Sequence, residues 1–197
     1  MNLPNTITFS RLALTAVFVM ATTWETAAGH WVALITFVVA AISDFVDGYL
    51  ARKLGQVTAM GKLLDPLADK VLVSAAYVYL SVLGFCPLWV TVLIIAREFL
   101  VTGLRQLAVE AGHVMAADRL GKWKTALQLT FCIACLAEIA FHTVAGENAV
   151  VNAIRDIVAR DGWVIALALW GSLALTLLSG WNYLWGSREL VMRRQDL

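Results

Sequence analysis

Long apolar runs, separated by short polar stretches, occupy most of the chain. A helix needs about 20 predominantly apolar residues to cross the hydrocarbon core of a bilayer. Six segments approach that length: residues 7–23, 31–50, 63–83, 88–109, 120–141 and 163–184. The pattern predicts an all-α integral membrane protein with six transmembrane helices.

A weaker apolar pattern lies between the fifth and sixth segments, in residues 148–160. Its apolar positions recur with helical spacing, at Val150, Val151, Ile154, Ile157 and Val158. This spacing predicts one short helix on the outer membrane interface.

The composition supports a membrane protein. The chain has 197 residues, 60% of them hydrophobic, and a mean hydropathy of +0.76, which is too apolar for an ordinary soluble domain of this size. We expect a single domain over residues 1–197. The net charge of +1 gives no reason to expect a nucleic-acid partner. Cys132 and Cys135 form a Cys-x2-Cys within an apolar run; we interpret them as small helix residues, with a redox or zinc role as the alternative.

The distribution of basic residues predicts the orientation. Six spans place both termini on one side, and most lysines and arginines lie at or near that side, whereas Arg155 and Arg160 lie on the other. By the positive-inside rule both termini are expected to be cytoplasmic. The first apolar segment lacks the features of a cleaved signal peptide, so we expect a multi-pass protein of the cell inner membrane.

Four aspartates interrupt this apolar sequence. On helices, Asp44 and Asp47 would be spaced i, i+3, and Asp65 and Asp69 i, i+4, so each pair would project from one face. Carboxylates at membrane depth repel one another and are costly unless a cation binds among them. Oxygen ligands suit Mg²⁺ or Mn²⁺. The alternative is a cluster of helix-end aspartates facing solvent.

The same stretch reads Asp44-x2-Asp47-Gly48-x2-Ala51-Arg52-x8-Gly61-x3-Asp65-x3-Asp69. It resembles the signature of the CDP-alcohol phosphotransferases at every fixed position. The resemblance implies an integral membrane enzyme that splits the pyrophosphate of a CDP-linked lipid or alcohol, releases CMP and transfers the remaining group to a hydroxyl. It also implies that Asp69 is the general base.

We expect Asp44, Asp47 and Asp65 to bind metal, with Asp69 in the same set and two ions in the usual two-metal arrangement. For the cytidine diphosphate we expect contacts from Gly48, Arg52 and Gly61, through the resemblance. Glycine permits close approach of a ligand, and the arginine fork suits phosphate. Polarity and weaker positional similarity add three candidates, for which helix capping is the alternative: Asn5, Thr8 and Thr58.

Basic residues downstream predict the acceptor. Arg97 lies mid-span, where an unpaired cation is costly and is a functional candidate. Four others gather at the cytoplasmic ends of the fourth and fifth segments: Arg105, Arg119, Lys122 and Lys124. Such a cluster suits an acceptor that carries a phosphate dianion. The alternative is a set of topology charges with an Arg97–Glu98 or Arg97–aspartate pair.

Three downstream segments are similar to segments of the bacterial phosphatidylglycerophosphate synthases: Ala96-Arg97-Glu98, Leu104-Arg105 and Gly121-Lys122-x-Lys124-Thr125-x2-Gln128. With the motif, this similarity runs from about residue 2 to residue 128. It implies phosphatidyl transfer from CDP-diacylglycerol to sn-glycerol 3-phosphate on the cytoplasmic face, and it leaves a homodimer open. The alternatives are another acceptor, as in cardiolipin, phosphatidylinositol phosphate or phosphatidylserine synthases, or, from a different class, a cation transporter.

Overall fold

A computed structural model describes the backbone of residues 3–54, 59–110, 119–144 and 148–193. Side chains are described for residues 9–43, 67–68, 70–109, 120–144, 148–183 and 185. The described backbone forms seven helices and no strand: α1 Leu3–Thr22, α2 Ala27–Leu54, α3 Ala59–Val82, α4 Leu88–Glu110, α5 Arg119–His142, α6 Ala149–Ile157 and α7 Trp163–Arg193. The all-α prediction is confirmed, and each predicted apolar segment lies on one long helix.

The outer surface of these helices is strongly apolar. Val82 on α3 and Leu88 on α4 are 80% and 69% exposed, and large apolar side chains are exposed along all six long helices. Contiguous apolar surface of this extent is rare on soluble monomers. Residues Leu120–His142 and Trp163–Tyr183 are long and apolar enough to cross a membrane. These features indicate a membrane protein; the six-span topology and the cytoplasmic termini stay predictions.

The interior is filled by aromatic and small side chains. Phe18 packs against Phe37 with ring centroids 5.6 Å apart, and Tyr77 stacks on Phe131 at 5.2 Å. All four rings are fully buried. Cys132 and Cys135 lie in the same buried cluster, as expected of small residues that let helices approach closely in a membrane protein.

Two arginines tie together the end of the bundle that carries α6. Arg155 on α6 donates to the carbonyl oxygens of Phe141 at 2.8 Å and Val144 at 2.6 Å, which lie at and just beyond the end of α5. Arg160 donates to the carbonyl oxygen of Leu83 at 2.9 Å, in the connection between α3 and α4. The predicted short helix is therefore present, and its contact with the membrane interface stays a prediction.

Helix packing decides which side chains can meet in the interior. Contacts join α3 to α4 and α5, and α7 packs against both α4 and α5. Because α2 also contacts α3 and α5, the motif-bearing helices border the same interior. Polar side chains from α3, α4, α5 and α7 meet there.

Candidate active site

The predicted metal ligands lie on two helices that contact each other. Asp44 and Asp47 belong to α2, and Asp65 and Asp69 belong to α3. Both pairs lie on helical backbone, as the argument from their i, i+3 and i, i+4 spacing assumed. Their side chains lie outside the described residues, so the metal site and the role of Asp69 stay predictions.

The chemistry of this donor set fits a hard divalent cation, because carboxylate oxygens are the ligands that Mg²⁺ and Mn²⁺ prefer. The described side chains include no group of three His, Cys, Asp or Glu residues that could hold a metal ion. The aspartates of α2 and α3 lie outside those described side chains and stay the predicted ligands.

The predicted CDP contacts are divided in the same way. Asn5 and Thr8 belong to α1, Gly48 and Arg52 to α2, and Gly61 to α3. No side-chain contact is described at these positions, and Thr58 lies outside the described residues. Their contact with the cytidine diphosphate stays a prediction.

A buried carboxylate on α4 collects cations from three helices. Glu98 is 5% exposed. Its Oε2 lies 3.4 Å from Nζ of Lys70 on α3, its Oε1 lies 3.5 Å from Nη1 of Arg97, and Lys124 on α5 donates to Oε1. Gln128 adds a hydrogen bond to Oε1 at 3.4 Å. We call Glu98, Lys70, Arg97, Lys124 and Gln128 the Glu98 cluster.

The sequence left open that Arg97 pairs with Glu98 and does not bind the acceptor. The structure contains this Arg97–Glu98 pair. Removing one partner from a buried ion pair typically costs about 3–5 kcal/mol because it leaves an uncompensated charge. The Glu98 cluster therefore contributes to the packing of α3, α4 and α5. It also fixes the positions of Lys124 and Arg97, two of the residues predicted to bind the acceptor.

A small cavity opens beside Glu98. Its volume of about 10 Å³ is close to that of a single water-sized sphere. The lining residues are Lys70, Val73, Ser74, Tyr77, Ile94, Ile95, Glu98, Thr125 and Gln128. A single water molecule fits this space.

The two predicted arginines of α4 meet at one tyrosine of α7. Arg105 donates from Nη2 to the hydroxyl of Tyr183, and its guanidinium carbon lies 4.9 Å from the Tyr183 ring centroid. The guanidinium carbon of Arg97 lies 5.8 Å from the same centroid. Arg97 also donates from Nη2 to Oγ of Ser179 at 2.6 Å. The structure thus brings Arg97 and Arg105 to the same tyrosine.

The remaining acceptor candidates differ in their surroundings. Lys122 is exposed on α5, whereas Lys124, two residues further on, is buried. Arg119 begins α5, and its side chain lies outside the described residues. The structure therefore joins Lys124 to Arg97 through Glu98 and does not join Lys122 to them.

The contribution of α7 was missed by sequence reasoning. Its polar residues at 172, 176, 179 and 183 are spaced by four, three and four positions, so they lie on one helical face. The residues are Ser172, Thr176, Ser179 and Tyr183, and all four are buried. Polar residues at helical spacing inside an apolar run are the signal that could have identified this face.

Comparisons with known protein sequences identify the family of this chain. The sequence profile of the family described as CDP-alcohol phosphatidyltransferase matches residues 1–178. A CDP-diacylglycerol--glycerol-3-phosphate 3-phosphatidyltransferase of Bacillus subtilis is 40% identical over 194 residues, covering 92% of this chain and 93% of the relative. A protein of the same name from Rickettsia bellii is 34% identical over 182 residues, covering 92% and 93%.

A third relative extends the comparison to another bacterial group. It is a probable phosphatidylglycerophosphate synthase of Mycobacterium tuberculosis, 37% identical over 175 residues that cover 79% of this chain and 83% of the relative. The matches span the aspartate-bearing helices and most of the buried polar interior. The chain therefore belongs to the CDP-alcohol phosphatidyltransferase family.

Proposed function

We propose that the protein transfers a phosphatidyl group from CDP-diacylglycerol to the primary hydroxyl of sn-glycerol 3-phosphate, giving phosphatidylglycerophosphate and CMP. The observation that carries the proposal is the ion pair between Lys70 and Glu98. Lys70 directly follows Asp69 in the sequence, and Glu98 also holds Arg97 and Lys124. The pair therefore joins the motif-bearing helix α3 to the basic residues on α4 and α5.

The choice of acceptor rests on charge. A phosphate dianion needs cationic partners, and guanidinium groups bind phosphate oxygens with two parallel hydrogen bonds. Arg97 and Arg105 approach the same tyrosine ring, which suits a single anionic group better than a neutral alcohol. The names of the relatives from Bacillus subtilis and Rickettsia bellii support glycerol 3-phosphate as that group.

The proposed chemistry begins at the acceptor hydroxyl. Asp69 takes the hydroxyl proton while the oxygen forms a bond to the phosphorus that carries the diacylglycerol. The bond between that phosphorus and the CMP oxygen breaks, and CMP leaves with the electron pair. Asp44, Asp47 and Asp65, with Asp69, would hold Mg²⁺ or Mn²⁺. Such ions, when bound, polarise phosphoryl oxygens and neutralise charge on the leaving group.

The membrane supplies the second substrate. CDP-diacylglycerol carries acyl chains that stay in the bilayer, and the apolar outer surface of the helices suits contact with those chains. The basic residues favour a site on the cytoplasmic face of the inner membrane by the positive-inside rule. The soluble acceptor and CMP would then exchange with the cytoplasm.

Release of CMP by the purified protein tests this proposal. The assay contains CDP-diacylglycerol and Mg²⁺ with one acceptor at a time: glycerol 3-phosphate, glycerol, serine, inositol phosphate or phosphatidylglycerol. Turnover is expected to be fast with glycerol 3-phosphate, weak with glycerol and absent with the other acceptors. Asp69→Asn is expected to fold and to lose nearly all turnover. Preferred turnover with another acceptor would contradict the proposed substrate, and an active Asp69→Asn protein would contradict the base assignment.

A further inference from the structure

The polar face of α7 reaches across the bundle to three other helices. Ser172 lies 3.4 Å from the hydroxyl of Tyr77 on α3, and Thr176 lies 3.5 Å from Nε2 of Gln128 on α5. The next two positions, Ser179 and Tyr183, accept hydrogen bonds from the two arginines of α4. One face of the apolar stretch Trp163–Tyr183 is therefore devoted to polar contacts, and its C-terminal end carries both arginine contacts.

Tyr183 is in contact with the guanidinium groups of two arginines. The guanidinium carbons of Arg97 and Arg105 lie 5.8 and 4.9 Å from its ring centroid. Two cations repel, and the face of an aromatic ring attracts each of them. Tyr183 is 6% exposed, whereas the Arg105 side chain is exposed to solvent. The tyrosine hydroxyl also restricts the orientation of the Arg105 fork.

Gly180 gives Arg97 room beside α7. A Cβ atom at Gly180 would lie 3.1 Å from Cγ and 3.6 Å from Nε of Arg97. The stem of Arg97 therefore runs against bare backbone, one helical turn before Tyr183. A methyl group at this position would require the Arg97 stem to shift by a few tenths of an ångström.

We propose that Tyr183 is a positioning residue that sets the guanidinium groups of Arg97 and Arg105 for one anionic group, the phosphate of the acceptor, and that Gly180 permits the required path of Arg97. The proposal rests on the proposed function. Tyr183 acts through the arginines. The same chemistry could bind the pyrophosphate of the CDP-lipid, so the test measures both substrates.

The test compares Tyr183→Phe with Tyr79→Phe. The first removes the hydroxyl that accepts from Arg105 and keeps the ring. The second makes the same change on α3, where Tyr79 packs against Phe18 at 6.5 Å. For Tyr183→Phe we expect KM for glycerol 3-phosphate to rise about tenfold, as for loss of one hydrogen bond to a charged group. We expect kcat, KM for CDP-diacylglycerol and the unfolding temperature to match those of Tyr79→Phe.

Gly180→Ala provides an independent variant, with Gly103→Ala as its control. A Cβ at Gly103 on α4 meets no atom within 4 Å. We expect Gly180→Ala to raise KM for glycerol 3-phosphate and Gly103→Ala to leave it unchanged. A second readout needs no turnover: stabilisation by glycerol 3-phosphate against thermal unfolding, without CDP-diacylglycerol, reports its affinity. That stabilisation should weaken in both test variants and in neither control.

The outcomes separate this inference from the proposed function. If wild-type protein uses no glycerol 3-phosphate, the proposed function is wrong and the inference falls with it. If wild-type protein uses glycerol 3-phosphate but both test variants match their controls, only the inference is wrong. A rise in KM for CDP-diacylglycerol, alone or to the same extent, would overturn the assignment to the acceptor phosphate. If Tyr183→Phe fails to fold, Gly180→Ala decides.

Discussion

Nζ of Lys70 lies 3.4 Å from Oε2 of Glu98, and this ion pair joins α3 to α4 one residue beyond Asp69. Because Glu98 also binds Lys124 on α5, a single carboxylate connects α3, which carries part of the motif, to α4 and α5, which carry predicted acceptor contacts. Glu98 is thus suited to hold cations in place, and this role can be tested apart from substrate contact.

Glu98→Gln should destabilise the protein. The amide keeps the shape of the side chain but leaves Lys124, Lys70 and Arg97 without this carboxylate, so we expect a loss of about 3 kcal/mol in the free energy of unfolding. Turnover should fall as well, because the cations lose their common partner. Denaturant unfolding in detergent and CMP release provide the two measurements.

Glu138→Gln is the matched control for that change. Glu138 lies on α5 and pairs with His142 at 3.2 Å, where the imidazole is mostly exposed. The Glu138 side chain is 12% exposed, but its partner is a solvent-exposed imidazole that is charged only when protonated, so this variant should lose less stability than Glu98→Gln and turn over much like the wild-type protein. Equal behaviour of the two glutamine variants would remove the role assigned to Glu98.

Arg155→Ala should destabilise the end of the bundle that carries α6 and leave substrate kinetics unchanged. Arg155 donates to the carbonyl oxygens of Phe141 and Val144, at and just beyond the end of α5. Hydrogen bonds from a charged group contribute about 2 kcal/mol, and the alanine variant should lose a stability of this order. Arg155→Lys keeps the charge but not the planar fork, so its stability should lie between that of the wild-type protein and that of Arg155→Ala. Unchanged stability of the alanine variant would argue against a stabilising role for these two hydrogen bonds.

The Cys86 thiol should react slowly in the folded protein. Cys86 lies between α3 and α4, is 3% exposed, and contacts Oγ1 of Thr91 at 3.2 Å. Burial raises the pKa of the Cys86 thiol above its ordinary value. The thiolate is the reactive form, so its fraction at pH 7–8 is lower than for a free cysteine and rises only as the pH approaches the raised pKa.

Alkylation followed by mass spectrometry measures this. Cys86 should resist iodoacetamide near neutral pH, react faster as the pH rises, and react fully after denaturation. A cysteine introduced at an exposed site, Asp161→Cys, should react rapidly in the folded protein. Labelling of Cys86 at the rate of the introduced cysteine would contradict the burial described here.

Apolar segment length predicted the positions of the six long helices but not their ends. The first segment was expected from residue 7, and α1 begins at Leu3; the last was expected to end at residue 184, and α7 continues to Arg193. Hydropathy marks the part of a helix that suits hydrocarbon, while polar and charged residues can continue the same helix into the interface. Helix ends therefore need backbone information.

The site divides along a similar line. The motif aspartates and the basic residues could be recognised because their spacing is local. The contacts of α7 could not, because Ser179 and Tyr183 meet arginines 82 and 78 residues earlier in the chain. Serine, threonine and tyrosine also change the hydropathy of an apolar run very little. Pairing of this kind depends on which helices pack together, and one sequence does not specify that.

The central claim is that the arginines of α4 recognise the acceptor phosphate. The direct measurement is the ratio of kcat/KM for glycerol 3-phosphate to that for glycerol, in wild-type protein and in Arg105→Ala. Losing a charge-assisted contact to phosphate costs about 2–3 kcal/mol, so we expect the ratio to fall at least about 30-fold while the weak rate with glycerol stays unchanged. Equal losses with both acceptors, or an unchanged ratio, would contradict the claim.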